Sequence, residues 1–391
     1  TTPASTCLQD YESEDVNWIQ SGDIYGVDTI SKTSTLVSNA AVRSLSALHV
    51  YNPDFIVIAM YGGSVGNIAI SKIQACVNQA CCCIQTDSQN DLKFMYYWIY
   101  MCKSDFLRIS EGGGQPNISQ SKIKNQYYMQ PPLPEQRRIA DFLDAKCAEI
   151  DALTADIQTQ IDTLEQYKRS VITEAVTKGL NPDVEMKDSG LKWIGKIPSS
   201  WNVMPNKYLM KKKKVICPVY KGEDILSLTM KGVIVRDLDA GGKMPTSFDG
   251  YQRLEPGNLL MCLFDIDVTP RCIGLIKQAG LSSPAYSQFE LNDMGNADYY
   301  CYYYTMLDND KTLLHLAKNL RHSLTEDQLG AISVIVPPVQ EQKRIANFLD
   351  AKCEEIDKVI AAKIEQLALI DEYKKSLIYE YVTGKKEVPA I

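Results

Sequence analysis

The sequence predicts an α+β chain in which two similar globular α/β units alternate with two long helices, the helices pairing antiparallel as a coiled coil in a pseudo-two-fold internal repeat. Three observations predict it. PPLPEQRRIADFLDAKCAEID at residues 131–151 returns as PPVQEQKRIANFLDAKCEEID at residues 337–357, an offset of 206 with 16 of 21 positions identical. Each copy then opens an apolar stripe at helical spacing. The first runs through Leu143, Ile150, Ile157, Leu164 and Val171, with Ile139, Leu153, Ile161 and Tyr167 on the intermediate turns. The second runs through Leu349, Ile356, Ile360, Ile364, Leu367, Ile370 and Leu377. Nothing breaks either stripe before Gly179 or Gly384, so each helix extends about 45 residues, roughly 65 Å. A stripe so narrow and long needs a partner helix, and the obvious partner is the other copy. Connectivity makes the pair antiparallel, because the second helix returns only after a whole domain. Finally, the segments between the helices repeat one plan with different residues. Residues 256–264 correspond to 52–60, the run Tyr299, Tyr300, Tyr302, Tyr303 and Tyr304 falls opposite residues 93–98, and Leu313 falls opposite Leu107.

At 391 residues, 45% hydrophobic and 23% charged, the chain has ample core for two or three domains. Its apolar runs, such as residues 55–60 and 80–84, are far too short to cross a bilayer, and no charged-then-apolar leader opens it. The expectation is a cytoplasmic protein without membrane contact. Twelve cysteines include three in a row, Cys81, Cys82 and Cys83, and the repeat-equivalent Cys147 and Cys353, which is not a disulfide framework. With only His49, His315 and His322, zinc spacing is lacking too, so the thiols read as buried and no metal or cofactor is expected. The net charge of −7 hides no basic region: residues 1–130 carry 8 basic and 11 acidic groups, and residues 181–336 carry 18 of each. A nucleic-acid surface must therefore come from local clustering or from a partner that supplies charge.

In chain order, residues 1–130 form the first unit. A strand signal at residues 55–59 leads into Tyr61-Gly-Gly-Ser-Val-Gly-Asn67, whose glycines resemble a phosphate cradle but lack the dinucleotide spacing and the P-loop lysine. A tight turn between strands is the expectation, with residues 68–70 resuming the strand. Residues 91–110 read as helical, their aromatic residues Phe94, Tyr96, Tyr97 and Trp98 as core. The polar loop of residues 111–119 follows, including Gly113, Gly114, Gln115, Asn117 and Ser119, and Lys122 stands beside it. Its bland reading is a connector into a strand at residues 123–130. Its functional reading is a loop whose amide and hydroxyl groups reach base edges or phosphates.

Residues 131–180 are the first long helix, and residues 181–336 the second globular unit. The matching start of the first unit would lie before residue 1, so that unit is expected to be short at its N-terminus. Basic clusters stand in the second unit: Lys211 and Lys212 within a run of four lysines, then Arg253, Arg271, Lys277, Lys318 and Arg321 near predicted turns. A charge run is usually just a solvated face. The second helix and a polar tail occupy residues 337–391.

The paired Pro-Pro-x-x-Glu-Gln-[Arg/Lys]-Arg-Ile-Ala-x-Phe-Leu-Asp segments, Lys187-Asp-Ser-Gly-Leu-Lys-Trp-Ile-Gly-Lys-Ile-Pro198 and Gly-Gln-Pro-Asn-Ile-Ser119 together resemble the DNA-specificity subunit of type I restriction–modification systems. That resemblance covers essentially the whole chain. It implies two target-recognition domains around a conserved antiparallel coiled coil, and no catalysis by this chain. It also implies a bipartite double-stranded DNA target, two methyltransferase subunits and restriction subunits as partners. Two departures stand out: the Ser-Gly-Leu-Lys-Trp-Ile-Gly segment occurs only at residues 189–195, and Arg321-His-Ser-Leu-Thr325 replaces the loop around Gln115. The identity of the repeats extends to Glu135/Glu341, Gln136/Gln342 and Arg138/Arg344, beyond what an apolar seam needs. These six are the expected docking residues for two copies of one partner. The competing class is a coiled-coil scaffold that binds only proteins; salt-dependent binding to random duplex separates the two.

Overall fold

The computed structural model describes residues 15–46, 48–111, 116–239, 245–316 and 323–389. The chain packs as two compact units, Thr1–Ile157 with Glu365–Ile391, and Gln158–Ile364, so each long helix contributes a part to each unit. Among the described residues no helix is long and apolar enough to cross a membrane.

The first unit is built on the strand Phe55–Ala59, which is buried at every position. It pairs antiparallel with Ile68–Ser71 on one side and Cys81–Ile84 on the other. Alternation sends Phe55, Val57 and Ala59 into one apolar cluster and Ile56 and Ile58 into another. Onto the second cluster packs the helix Leu92–Met101, begun by Asp91, whose side chain accepts from the backbone N–H of Lys93 and Phe94. Phe94, Tyr96, Tyr97 and Trp98 are buried there, as expected. In the second unit the strand Leu259–Met261 takes the central place, between Ile273–Leu275 and Ser287–Leu291. The helix Ala297–Asn309 follows, capped by Asn296.

The long helices are Leu133–Lys178 and Val339–Val382. Within the first unit they run antiparallel: Lys374 bonds Asp151 at 2.7 Å, the Phe142 ring lies 4.5 Å from that of Tyr381, and Ile150 shares a cluster with Ile370 and Leu377. In the second unit the same sense holds: Lys168 bonds Asp357 at 2.6 Å, Lys363 meets Gln160, and Ile172 packs in one cluster with Leu349 and Cys353. Lys168 and Lys374, like Asp151 and Asp357, stand 206 apart, so one ion pair is built twice. Leu153, Tyr167 and Ile364 depart from the expected stripe and are about half exposed. Ile157 is 3% exposed. Ile157→Asp should lower unfolding stability by about 3 kcal/mol, because a carboxylate at that site has no partner; chemical denaturation measures it, and a loss below about 0.5 kcal/mol would place Ile157 outside the seam.

Two expectations fail for identifiable reasons. Residues 123–130 are not a strand: Gln120–Lys124 is a short helix and the rest is unpaired. Their counterpart in the second unit, Ser333–Val336, is a strand because Asn202–Pro205 pairs with it. Residues 127–130 pair with no strand among the described residues; Tyr127 stands 94% exposed, its backbone carbonyl accepting from the Trp98 indole at 3.0 Å. The aromatic helices also correspond at an offset of 205 rather than 206, since Asp91 and Asn296 bond the equivalent Gln136 and Gln342, and Tyr97 and Tyr302 the equivalent Asp144 and Asp350. Leu107 and Leu313 are likewise not equivalent, the first exposed and the second buried.

Candidate nucleic-acid interface and partner face

Gln136 and Gln342, 206 apart and expected to face a partner, are completely buried instead. Gln136 Oε1 accepts from the Asp91 backbone N–H at 2.8 Å, and its Nε2 donates to the carbonyls of Gln89 and Pro131. Gln342 does the same for Asn296, Met294 and Pro337. Asp91 and Asn296 are the N-caps of the aromatic helices, so each glutamine ties the start of a long helix to the start of the helix packed on it. A second tie repeats as well. Tyr97 donates to Asp144 at 2.8 Å, and Tyr302 to Asp350 at 2.7 Å. Burial, reinforced by the neighbouring carboxylate, pushes both phenols well above their ordinary range.

Of the other docking candidates, Glu341 is half-buried and accepts from the Trp201 indole at 3.0 Å, whereas Glu135 is exposed. Trp201 also crowds the close of the first long helix. Gly179 there has φ +77°, and a Cβ on it would meet Glu341 Oε1 at 3.0 Å. Arg138 and Arg344 are both exposed.

Gly113, Gly114 and Gln115 lie outside the described residues, as do Lys318 and Arg321. What frames the first of these loops is well defined. Glu111 and Asn117 exchange backbone hydrogen bonds at 2.8 Å, the Gly62 N–H donates to the Pro116 carbonyl at 2.9 Å, and the Ile118 N–H to the Met60 carbonyl at 2.9 Å. Asn117 is exposed at this stem. Ser119 caps the short helix Gln120–Lys124. Lys122 is committed inward, donating to the Ile109 carbonyl and to Glu111 at 2.7 Å each, and its ammonium holds the Glu111 carboxyl below the usual range. The second unit repeats the lacing: the Leu324 N–H donates to the Leu263 carbonyl at 2.7 Å. In both units the described residues that follow the loop are thus tied to the turn between two paired strands.

Of the described basic candidates of the second unit, Lys211, Lys212, Arg253 and Arg271 each lie against one of its own acids. Lys211 lies 3.7 Å from Glu290, Lys212 pairs with Glu326, and Lys213 lies 2.5 Å from Glu255. Arg253 bonds Glu223 at 3.1 Å. Arg271 reaches Asn309 at 3.2 Å and the buried Asp308 at 3.7 Å. Sequence reasoning missed Trp201, the bonds of Tyr97 and Tyr302 to Asp144 and Asp350, and the two lysine–aspartate pairs; the 206-residue offset was the signal that could have found the pairs. Among the described residues no group of His, Cys, Asp and Glu could hold a metal ion.

A family model described as the type I restriction modification DNA specificity domain matches residues 1–163 and 283–366. A protein named as the type I restriction enzyme MjaX specificity subunit of Methanocaldococcus jannaschii is 26% identical over 314 residues, 75% of this chain and 68% of that one. The MjaVIII specificity subunit of the same organism is 26% identical over 155 residues, 40% of this chain and 35% of that one. A solved structure described under complex assembly and conformational transition of the type I R-M system aligns with TM-score 0.70 at 14% identity, over 95% of this chain and 92% of that one. That likeness is one of fold.

Proposed function

The chain belongs to the family of type I restriction–modification DNA specificity subunits, and on that premise we propose that it reads a bipartite duplex target, one half-site per globular unit. It holds two methyltransferase subunits and the restriction subunits of the complex in register with that target, and supplies specificity rather than chemistry. One observation carries the reading: the framework is built twice with the same residues while the edges differ. Gln136 and Gln342, Asp144 and Asp350, and the Lys374–Asp151 and Lys168–Asp357 pairs repeat at 206. The laced turns do not: aligned by the Met60 and Leu263 carbonyls that accept from Ile118 and Leu324, Tyr61-Gly-Gly-Ser64 in one unit corresponds to Phe264-Asp-Ile-Asp267 in the other. Identical supports with different edges suit two readings of one linear polymer. The partner face repeats too. Exposed Leu153 and Val359, Tyr167 and Tyr373, and Arg138 and Arg344 are each 206 apart. The deciding experiment is to co-purify the chain with a methyltransferase subunit and sequence the methylated sites; methylation without a two-part motif would overturn the reading.

The first loop then makes a prediction of its own. Asn117→Ala should weaken binding to the methylated target about tenfold while barely changing binding to random duplex, because a lost base contact is worth about 1–3 kcal/mol. Equal losses on both would make the loop a positioning element. Lys122→Met should lower discrimination between the two duplexes without changing the salt slope, since its ammonium is already committed to Ile109 and Glu111. A slope smaller by about one would instead make it a direct phosphate contact.

A further inference from the structure

The hairpin turn of the first unit carries three glycines, and its own fold accounts for only two of them. Gly62 has φ +68° and Gly66 φ +77°, a backbone region that side chains rarely adopt, and a Cβ on Gly66 would also meet Lys103 Cγ at 3.2 Å. Gly63 is different: its φ is ordinary, it is exposed, and nothing lies within 4 Å of a Cβ built on it. Neither conformation nor internal packing asks for glycine there. A glycine at such an exposed site leaves the backbone open to close approach from outside.

The surroundings say what approaches. Tyr61, 43% exposed, forms a backbone bridge with Asn117, and the Gly62 and Ile118 amides tie the turn to the loop stem. Gly63 therefore stands on the same fixed edge as Asn117. Behind it the Lys103 ammonium donates to Asn67 at 2.8 Å, placing a positive group under the turn. Backbone N–H groups commonly contact DNA phosphates, and such contacts set register rather than sequence. We propose that Gly63 is the point where the sugar–phosphate strand of the first half-site rests on the backbone, with Tyr61 lying against the same strand. This rests on the DNA-reading function above, and adds to it a positioning contact outside the polar loop. In the second unit the corresponding turn presents Phe264, 38% exposed, and Val268, 74% exposed, without any glycine, so its strand is held farther from the backbone.

The test uses the complex with methyltransferase subunits, carrying Gly63→Ala or Gly63→Val, on target and random duplexes over a salt series. Expected are an affinity loss of at least tenfold for Val, a smaller loss for Ala, the same loss on both duplexes, and a Tm for Gly63→Ala equal to or above that of the parent, since glycine costs unfolded-state entropy. Parent-like binding by both variants overturns the phosphate contact while leaving DNA reading intact. Loss confined to the target duplex also overturns it, because the turn would then read bases. If the unsubstituted complex binds no duplex, the DNA-reading function falls with it. Should Gly63→Val fold poorly, Gly63→Ala alone decides by its affinity on the two duplexes.

Discussion

Replacing Gln136 by Leu is expected to destabilise the first unit, and Gln342 by Leu the second, each on the order of 3 kcal/mol. Leucine fills similar space, so the loss is polar. Each substitution strands the N-cap backbone N–H of an aromatic helix and two carbonyls; most of these groups are only partly buried, so each costs toward the low end of the range for a buried one. A buried group left without its partner costs about 1–3 kcal/mol. Against a typical total of about 5–15 kcal/mol, either change removes a large share of the stability. Urea denaturation of the single variants, followed through the helix signal, measures it. Losses below about 1 kcal/mol would mean that water or a shifted backbone replaces the glutamine, and the repetition at these two positions would need another cause.

The second large effect concerns assembly. Arg138→Glu together with Arg344→Glu should abolish methyltransferase binding while leaving the fold unchanged, because both residues are exposed. Each single reversal should leave one partner bound. The physical basis is equivalence: residues 206 apart on the two long helices carry the same exposed side chains, and two copies of one partner need two equivalent faces. Native mass measurement reads the outcome directly. Two partners per chain are expected for the parent and none for the double variant. A parent assembly that saturates at one to one would sink the symmetric-docking reading, and drift-free duplication would then explain the repeat.

Much of this protein was legible in its sequence because the governing signals are local or periodic. The long helices announced themselves by apolar spacing and by the absence of breakers, the strand at Phe55–Ala59 by its apolar run, and the aromatic helix by a stripe that reads as core. The repeat at 206 announced that whatever one half does, the other does too. What tertiary structure alone decided is which polar residue faces which partner. Gln136 and Arg138 are two positions apart in a repeated motif and look equally available, yet one is completely buried against Asp91 and the other exposed. A helix turns about 100° per residue, so neighbours in sequence need not share a face. Lys122 and Lys212 look like free cations until Glu111 and Glu326 appear beside them, and Glu326 is far away along the chain. Charge at a surface depends on contacts made across the fold, and pattern within a segment carries no information about them. The same reason explains residues 127–130, which read as a strand but pair with no strand among the described residues, so that pairing across the fold rather than local propensity decides their state.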